Sequence, residues 1–189
     1  TRKSLELKPD NPDAHMNLGG IYQGLGNLDQ ALASFLQSLE LKPDNPNAHM
    51  NMGMLYFLSG DYKNGWEKYE YRLEAEDSSL YVKPNCKKLT KENYNQLKTL
   101  LVVGEQGIGD IIQFSRYIKT LRAKGVMIKF CLETKLHSLV KASGIDPIPL
   151  DKVDATKITT GHWVPLLSIP RILEVTPEKP IISEILFRT

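Results

Sequence analysis

Leu100-Leu-Val-Val-Gly-Glu-Gln-Gly-Ile-Gly-Asp-Ile-Ile-Gln-Phe-Ser-Arg-Tyr-Ile118 is the stretch that decides the reading of this 189-residue chain. Its first four residues are apolar and rich in β-formers, as in a strand buried on both faces. A glycine-rich turn follows, Gly104-Glu-Gln-Gly-Ile-Gly109. Beyond it, Ile111, Ile112, Phe114, Ser115, Ile118 and Leu121 recur at helical spacing. Strand, glycine turn and helix together bring backbone N–H groups to the carboxyl edge of a sheet, where α/β domains bind anions and nucleotides. The glycines read G-x-x-G-x-G and not the dinucleotide spacing G-x-G-x-x-G, and no Gly-Lys-Ser/Thr marks a phosphate-binding loop. The pattern places a site at this turn without naming its ligand.

Downstream the alternation continues. A helix over 110–124 stops at Gly125, Val126–Cys131 reads as a second strand, Leu136–Ala142 as a helix ended by Gly144, and Asp146–Leu150 as a short edge segment. Trp163-Val-Pro-Leu-Leu is one more strand or turn, and Ser168–Leu173 a short helix. Strands alternating with helices imply a parallel sheet. Three or four strands are legible, fewer than a doubly wound domain uses, so the sheet reads as incomplete. His137 reads as a surface helix residue and His162 as a packing or loop residue; no His/Cys/Asp spacing suggests a metal site.

Upstream the organisation changes. Residues 4–12 read Ser-Leu-Glu-Leu-Lys-Pro-Asp-Asn-Pro, and residues 38–46 repeat the same nine letters, a period of 34. Within that period His15-x-x-Leu18-Gly19-x-x-Tyr22, Ala31-x-x-x-Phe35 and Pro43 fit the tetratricopeptide pattern, with His in the usual Trp place. The next unit supplies His49, Met52, Gly53, Tyr56, Gly65 and Tyr69, and Asp77 stands where the closing proline would be. Units therefore run over 11–44 and 45–77 after a partial first one, with 78–96 a polar connector. Asn11 and Asn45 are N-cap candidates ahead of Pro12 and Pro46, Asn27-x-x-Gln30 outlines a capping box, and Asp61 caps the partner helix. Gly19 and Gly53 let paired helices approach, with Ala31 and Gly65 receiving large side chains. The helix over 66–77 is rich in aromatics (Trp66, Tyr69, Tyr71), which suggests docking on the next domain. Such hairpins cannot bury an apolar face alone and must stack. The first residues already belong to a preceding unit's second helix, so the chain reads as an excerpt of a longer protein, with self-association expected through an uncapped repeat face.

The first helix of each unit lines the concave face of such an array. Asn17 and Asn51 lie 34 residues apart, as do Met16 and Met50. Two stacked amides suit the backbone of an extended peptide, and methionines adapt to varied side chains, so a protein or peptide partner is expected in this groove. The net charge of +2 is too small to argue for nucleic acid or an anionic membrane surface as partner, and neither is expected. No apolar run is long enough for a membrane span, and no signal peptide opens the chain. Cys86 and Cys131 are far apart and read as free thiols of a reducing, cytoplasmic compartment.

The combination resembles one family. Repeats of this kind, a Gly-Trp-Glu-x-Tyr-Glu-x-Arg helix at 65–72, and the Gly-Glu-Gln-Gly-Ile-Gly-Asp-x-x-Gln-Phe-x-Arg-Tyr run resemble bacterial repeat-fused glycosyltransferases. These are similar to heptosyltransferase-like family 9 enzymes and, more distantly, to O-linked N-acetylglucosamine transferase; Leu166-Leu-Ser-Ile-Pro170 also resembles their pattern. The resemblance implies an α plus α/β chain: tetratricopeptide hairpins, then over 97–189 an incomplete Rossmann-like acceptor lobe of the GT-B kind. The second lobe, which in the family binds most of the donor sugar nucleotide, lies outside these residues. No cofactor beyond that donor, and no metal, is implied. A Gly-Asp pair at this turn carries the base in the heptosyltransferases, and the matching positions are Gly109 and Asp110, with Gly104, Glu105, Gln106, Gly107, Gly109 and Gln113 around the substrate. A carboxylate above the sheet edge can take the acceptor hydroxyl proton as it attacks the anomeric carbon. Asp110-x-x-Gln113 also reads as a capping box, so base and helix cap both stay open for Asp110, with Glu105 the next carboxylate in line. A non-catalytic repeat scaffold with an α/β lobe is the alternative reading of the whole, and a nucleotide-binding regulatory domain a third.

Overall fold

The computed structural model describes residues 8–75, 83–105, 107–149 and 161–180, and divides into two compact units, residues 1–78 and 79–189. The first is all-helical. Helices α1 (Pro12–Gly24) and α2 (Leu28–Leu41) form one hairpin; α3 (Pro46–Leu58) and α4 (Tyr62–Tyr69), extended by a 3-10 turn at Glu70–Leu73, form the next. Local chemistry sets the starts. The Asn11 side chain accepts from the Ala14 N–H at 3.1 Å, Asn45 from Asn47 and Ala48, and Asp61 from Asn64, with proline at the first position of α1 and α3. Asn27 precedes α2 but makes no side-chain cap bond, so the capping box expected there does not form. Lys42 is extended (φ −141°) ahead of Pro43, which closes the hairpin.

The hairpins are held by a core that neither could build alone. Ala31 and Phe35 of α2 are fully buried against Met52 and Leu55 of α3, with Met16, Tyr22, Leu28, Leu32, Leu39 and Tyr56 packed around them. The second hairpin closes unusually tightly. A methyl group on Gly53 would stand 2.8 Å from the backbone nitrogen of Tyr69, so only glycine admits α4 at this distance. The aromatics of α4 engage their own hairpin: Phe57 meets Trp66 edge-on at 4.6 Å, and the Arg72 guanidinium, 6% exposed, lies 4.8 Å over Tyr69. Asp77 lies outside the described residues.

The second unit is a five-stranded, all-parallel sheet, β1 (Lys87–Lys88), β2 (Thr99–Val103), β3 (Met127–Leu132), β4 (Asp146–Pro149) and β5 (His162–Pro165), in the order β1-β5-β2-β3-β4. This exceeds the three or four strands expected. Two residues of the presumed connector, Lys87 and Lys88, add an edge strand against β5, and the following Leu89 is 1% exposed. The α/β unit therefore begins within 78–96 and not at 97. A two-residue lysine strand carries no period-two signal, and its lysines suit an exposed edge. The helix expected over 110–124 is two pieces, α5 (Ile108–Phe114) and α6 (Arg116–Ala123), broken where buried Ser115 donates its hydroxyl to the Ile112 carbonyl at 3.0 Å. Short helices α7 (His137–Ala142) and α8 (Ile169–Ile172) complete the described elements. His137 is half-buried, its Nε2 3.1 Å from the Leu132 carbonyl oxygen, and so ties α7 to the end of β3. Val102, Phe130 and Val164, at one register across β2, β3 and β5, are inaccessible to solvent.

Candidate functional site

The strand order places the glycine turn at a reversal. The chain leaves β2 toward β3 and β4, then returns to the other side of β2 as β5. Ligands of open parallel sheets bind outside the carboxyl ends of strands at such a reversal. Here Val103 and Pro165 are paired at the ends of β2 and β5, so the turn after β2 and the 3-10 turn Leu166–Ser168 after β5 stand side by side. The motif placed the first of these; no local signal indicated that the second would be its neighbour.

Three ties hold the glycine turn. The Gly104 N–H donates to the Cys131 carbonyl at 2.7 Å, binding the turn to β3. Glu105 is 4% exposed, and its Oε1 accepts the buried Leu167 N–H at 2.9 Å, binding the turn to the exit of β5. The Ile111 N–H donates to the Gly107 carbonyl at 3.0 Å, starting α5. Glu105 thus does for the turn after β5 what a local cap would do: Pro165 precedes that turn and has no side-chain acceptor. Glu105, expected around the substrate, is here buried and engaged by the Leu167 N–H. Its carboxylate lies in the floor between two strand exits.

Asp110 is not the cap of its helix. Gly107, with φ of +100°, is the N-cap, and Asp110 follows in the first turn without a capping bond. The capping-box alternative for Asp110 therefore fails. A left-handed residue is needed three positions earlier, and only glycine adopts that conformation without strain. A methyl on Gly107 would meet Asp110 Oδ2 at 2.9 Å, so the half-exposed carboxylate leans back over the turn. Among the described residues no hydrogen bond engages it. Gly109 and Gln113 are exposed, and a methyl on Gly109 would meet nothing within 4 Å. Gly104, Glu105, Gly107, Gly109 and Asp110 are thus brought to one strand exit, with Gln113 one turn further along α5; Gln106 lies outside the described residues. At seven residues α5 is short, which weakens the helix-dipole contribution expected of it. A cavity of about 230 Å³ lies at the opposite, amino end of the strands, lined by Leu101, Met127, Ile148 and His162 among others, away from these groups.

On the repeats, Asn17 is exposed and Asn51 half-buried, at equivalent positions of α1 and α3. Neither amide has a hydrogen-bond partner among the described residues. Met50 is half-buried, whereas Met16 packs against the hairpin core, which leaves it less available to a ligand than the sequence suggested. Among the described residues neither Cys86 nor Cys131 forms a disulfide. No described helix is long and apolar enough to cross a membrane, and among the described residues no three His, Cys, Asp or Glu side chains converge as a metal site would require.

Comparison with known proteins decides the first unit. Residues 21–60 match the family model of the TPR repeat, and residues 1–33 match that of the tetratricopeptide repeat. Residues 1–60 of the helical unit thus carry tetratricopeptide repeats. No curated protein matches the chain. Among solved structures, a mutant of the Thermobaculum terrenum O-GlcNAc transferase is similar at 17% identity and a TM-score of 0.37, over 81% of this chain and 37% of that one. The present chain thus spans little more than a third of the length of that relative.

Proposed function

We propose that this chain is the repeat-bearing, acceptor-holding part of a glycosyltransferase that uses a sugar nucleotide. In this reading the tetratricopeptide groove, with Asn17 and Asn51, holds an extended peptide or protein partner, and Asp110 is the general base that deprotonates the acceptor hydroxyl. The observation that carries the reading is the disposition of Asp110. Its carboxylate leans over a left-handed glycine at the exit of a central parallel strand, beside the strand-order reversal, and no described side chain neutralises it. Glu105, the competing carboxylate, is occupied by the Leu167 N–H. Self-association belongs to the same reading, since Ile21 of α1 and Leu25 just beyond its end are 48% and 68% exposed.

The test uses the natural full-length protein with a panel of UDP-, ADP- and GDP-sugars and a peptide selected on the repeats as acceptor. The parent should release nucleoside diphosphate. Asp110→Asn should keep the thermal unfolding profile, because no cap is lost, and lower kcat by about 10²–10⁴-fold, the usual contribution of a general base. Release at the parental rate by Asp110→Asn would remove Asp110 from the chemistry. Absence of release from every donor by the parent would favour the scaffold reading.

A further inference from the structure

We infer that His49 is a proton-operated latch on the closing turn of the repeat array. Its ring is 7% exposed and bonded at both nitrogens. Nε2 lies 2.8 Å from the Pro43 carbonyl oxygen, which can only accept, so Nε2 carries the hydrogen. Nδ1 must then be the lone-pair side of a neutral imidazole, and it accepts from the Lys68 ammonium at 3.3 Å. The ring face stacks on Tyr71 at 3.9 Å and 20°. One neutral ring therefore joins the turn before α3, the last turn of α4 and the 3-10 segment that ends the array.

A proton has nowhere good to go. On Nδ1 it would replace the bond from Lys68 with two cations facing each other in a part-buried setting. Glu74, just beyond the 3-10 turn, the Pro43 carbonyl and the Tyr71 face favour the imidazolium, but none of them replaces the lost acceptor for Lys68. Burial foremost, with the Lys68 charge adding to it, holds the His49 pKa below the ordinary histidine value. The chain carries its own control. His15, one repeat earlier, makes the same 2.8 Å contact with the Pro9 carbonyl, but the positions matching Lys68 and Tyr71 are Ser34 and Gln37, and Ser34 is bonded to Gln30. The second repeat thus has the proline contact common to both, plus a cation and a ring that only it possesses.

The sign follows from linkage. Because the folded-state pKa is depressed, the closed turn has its full stability above about pH 6.5, the unfolded histidine value, and loses it as pH falls toward the folded value. Within that window the opening constant of residues 70–74 should rise by up to about tenfold per pH unit. The test is imidazole NMR titration of the chain combined with amide exchange of Tyr71–Glu74, corrected for intrinsic rates, between pH 7.5 and 5. His49 should titrate below the ordinary histidine value of about 6.5, Lys68→Met should raise it toward that value and flatten the exchange profile, and His49→Phe, which keeps a stacking ring, should abolish the pH dependence. Titration of His49 at or above that ordinary value would overturn the inference. So would exchange at 71–74 that is equally pH-independent in the parent and both variants.

Discussion

Glu105 offers the sharpest test of how the α/β unit is held together. The perturbation is Glu105→Ala, with Glu105→Gln as its companion. A hydrogen bond to a charged acceptor contributes about 1.5–3 kcal/mol, and a donor left buried without a partner costs about 1–3 kcal/mol, two overlapping measures of the same loss. Glu105 is 4% and Leu167 5% exposed, so water does not easily replace the missing oxygen. The alanine variant should therefore lose about 1.5–3 kcal/mol. Gln keeps an acceptor oxygen and gives up only the charge, so about 0.5–1.5 kcal/mol is expected. The chain's two tryptophans fall one in each unit, Trp66 in the repeats and buried Trp163 in β5. In a Trp66→Phe background, urea unfolding followed by Trp163 fluorescence reports on the sheet alone, which also avoids assuming one transition for a two-unit chain. With a slope near 2 kcal/mol per molar, the alanine midpoint should fall by about 0.7–1.5 M and the glutamine midpoint by about half of that or less. Coincident transitions for parent, Gln and Ala would refute the idea that this carboxylate ties two strand exits together.

Two further outcomes are expected from the repeats. Gly53→Ala drives a methyl into the Tyr69 backbone and should cost about 1–3 kcal/mol in CD-monitored unfolding, whereas Gly20→Ala, exposed with nothing within 4 Å, should gain about 0.5–1 kcal/mol; the same sign for both would contradict the packing described. Replacing Asn17 and Asn51 together by alanine should weaken a phage-selected extended peptide by roughly 1–3 kcal/mol in titration calorimetry, and equal affinity would move the groove elsewhere.

Much of the first unit was legible because its determinants are local. A 34-residue period, an asparagine before a proline, and an aspartate three residues before the backbone N–H it accepts all act within one or two helical turns, and Asn11, Asn45 and Asp61 cap where the letters place them. Asn27 shows the limit of such reading: it has the right residue type and spacing, but no cap bond forms. In the second unit the strand Thr99–Val103 and the glycine turn were equally plain, since a run of buried β-formers ending in glycine leaves few alternatives.

What the tertiary structure alone decided concerns contacts between residues far apart in sequence. The letters left Asp110 open between cap and base; the left-handed Gly107, as the N-cap of α5, takes the cap role away from it. They left Glu105 as a spare carboxylate for the chemistry, whereas strand order, by setting β5 beside β2, turned it into a tie across 62 residues of chain. They identified Lys87 and Lys88 as connector, and pairing with β5 made them a strand. Sequence by itself determined the repeat unit, the strand–turn–helix element and the chemistry available at the turn, because hydrogen bonds and φ preferences over a few residues are encoded by those residues. Which carboxylate stays exposed was set only when distant strands paired, because burial depends on neighbours that no local pattern names.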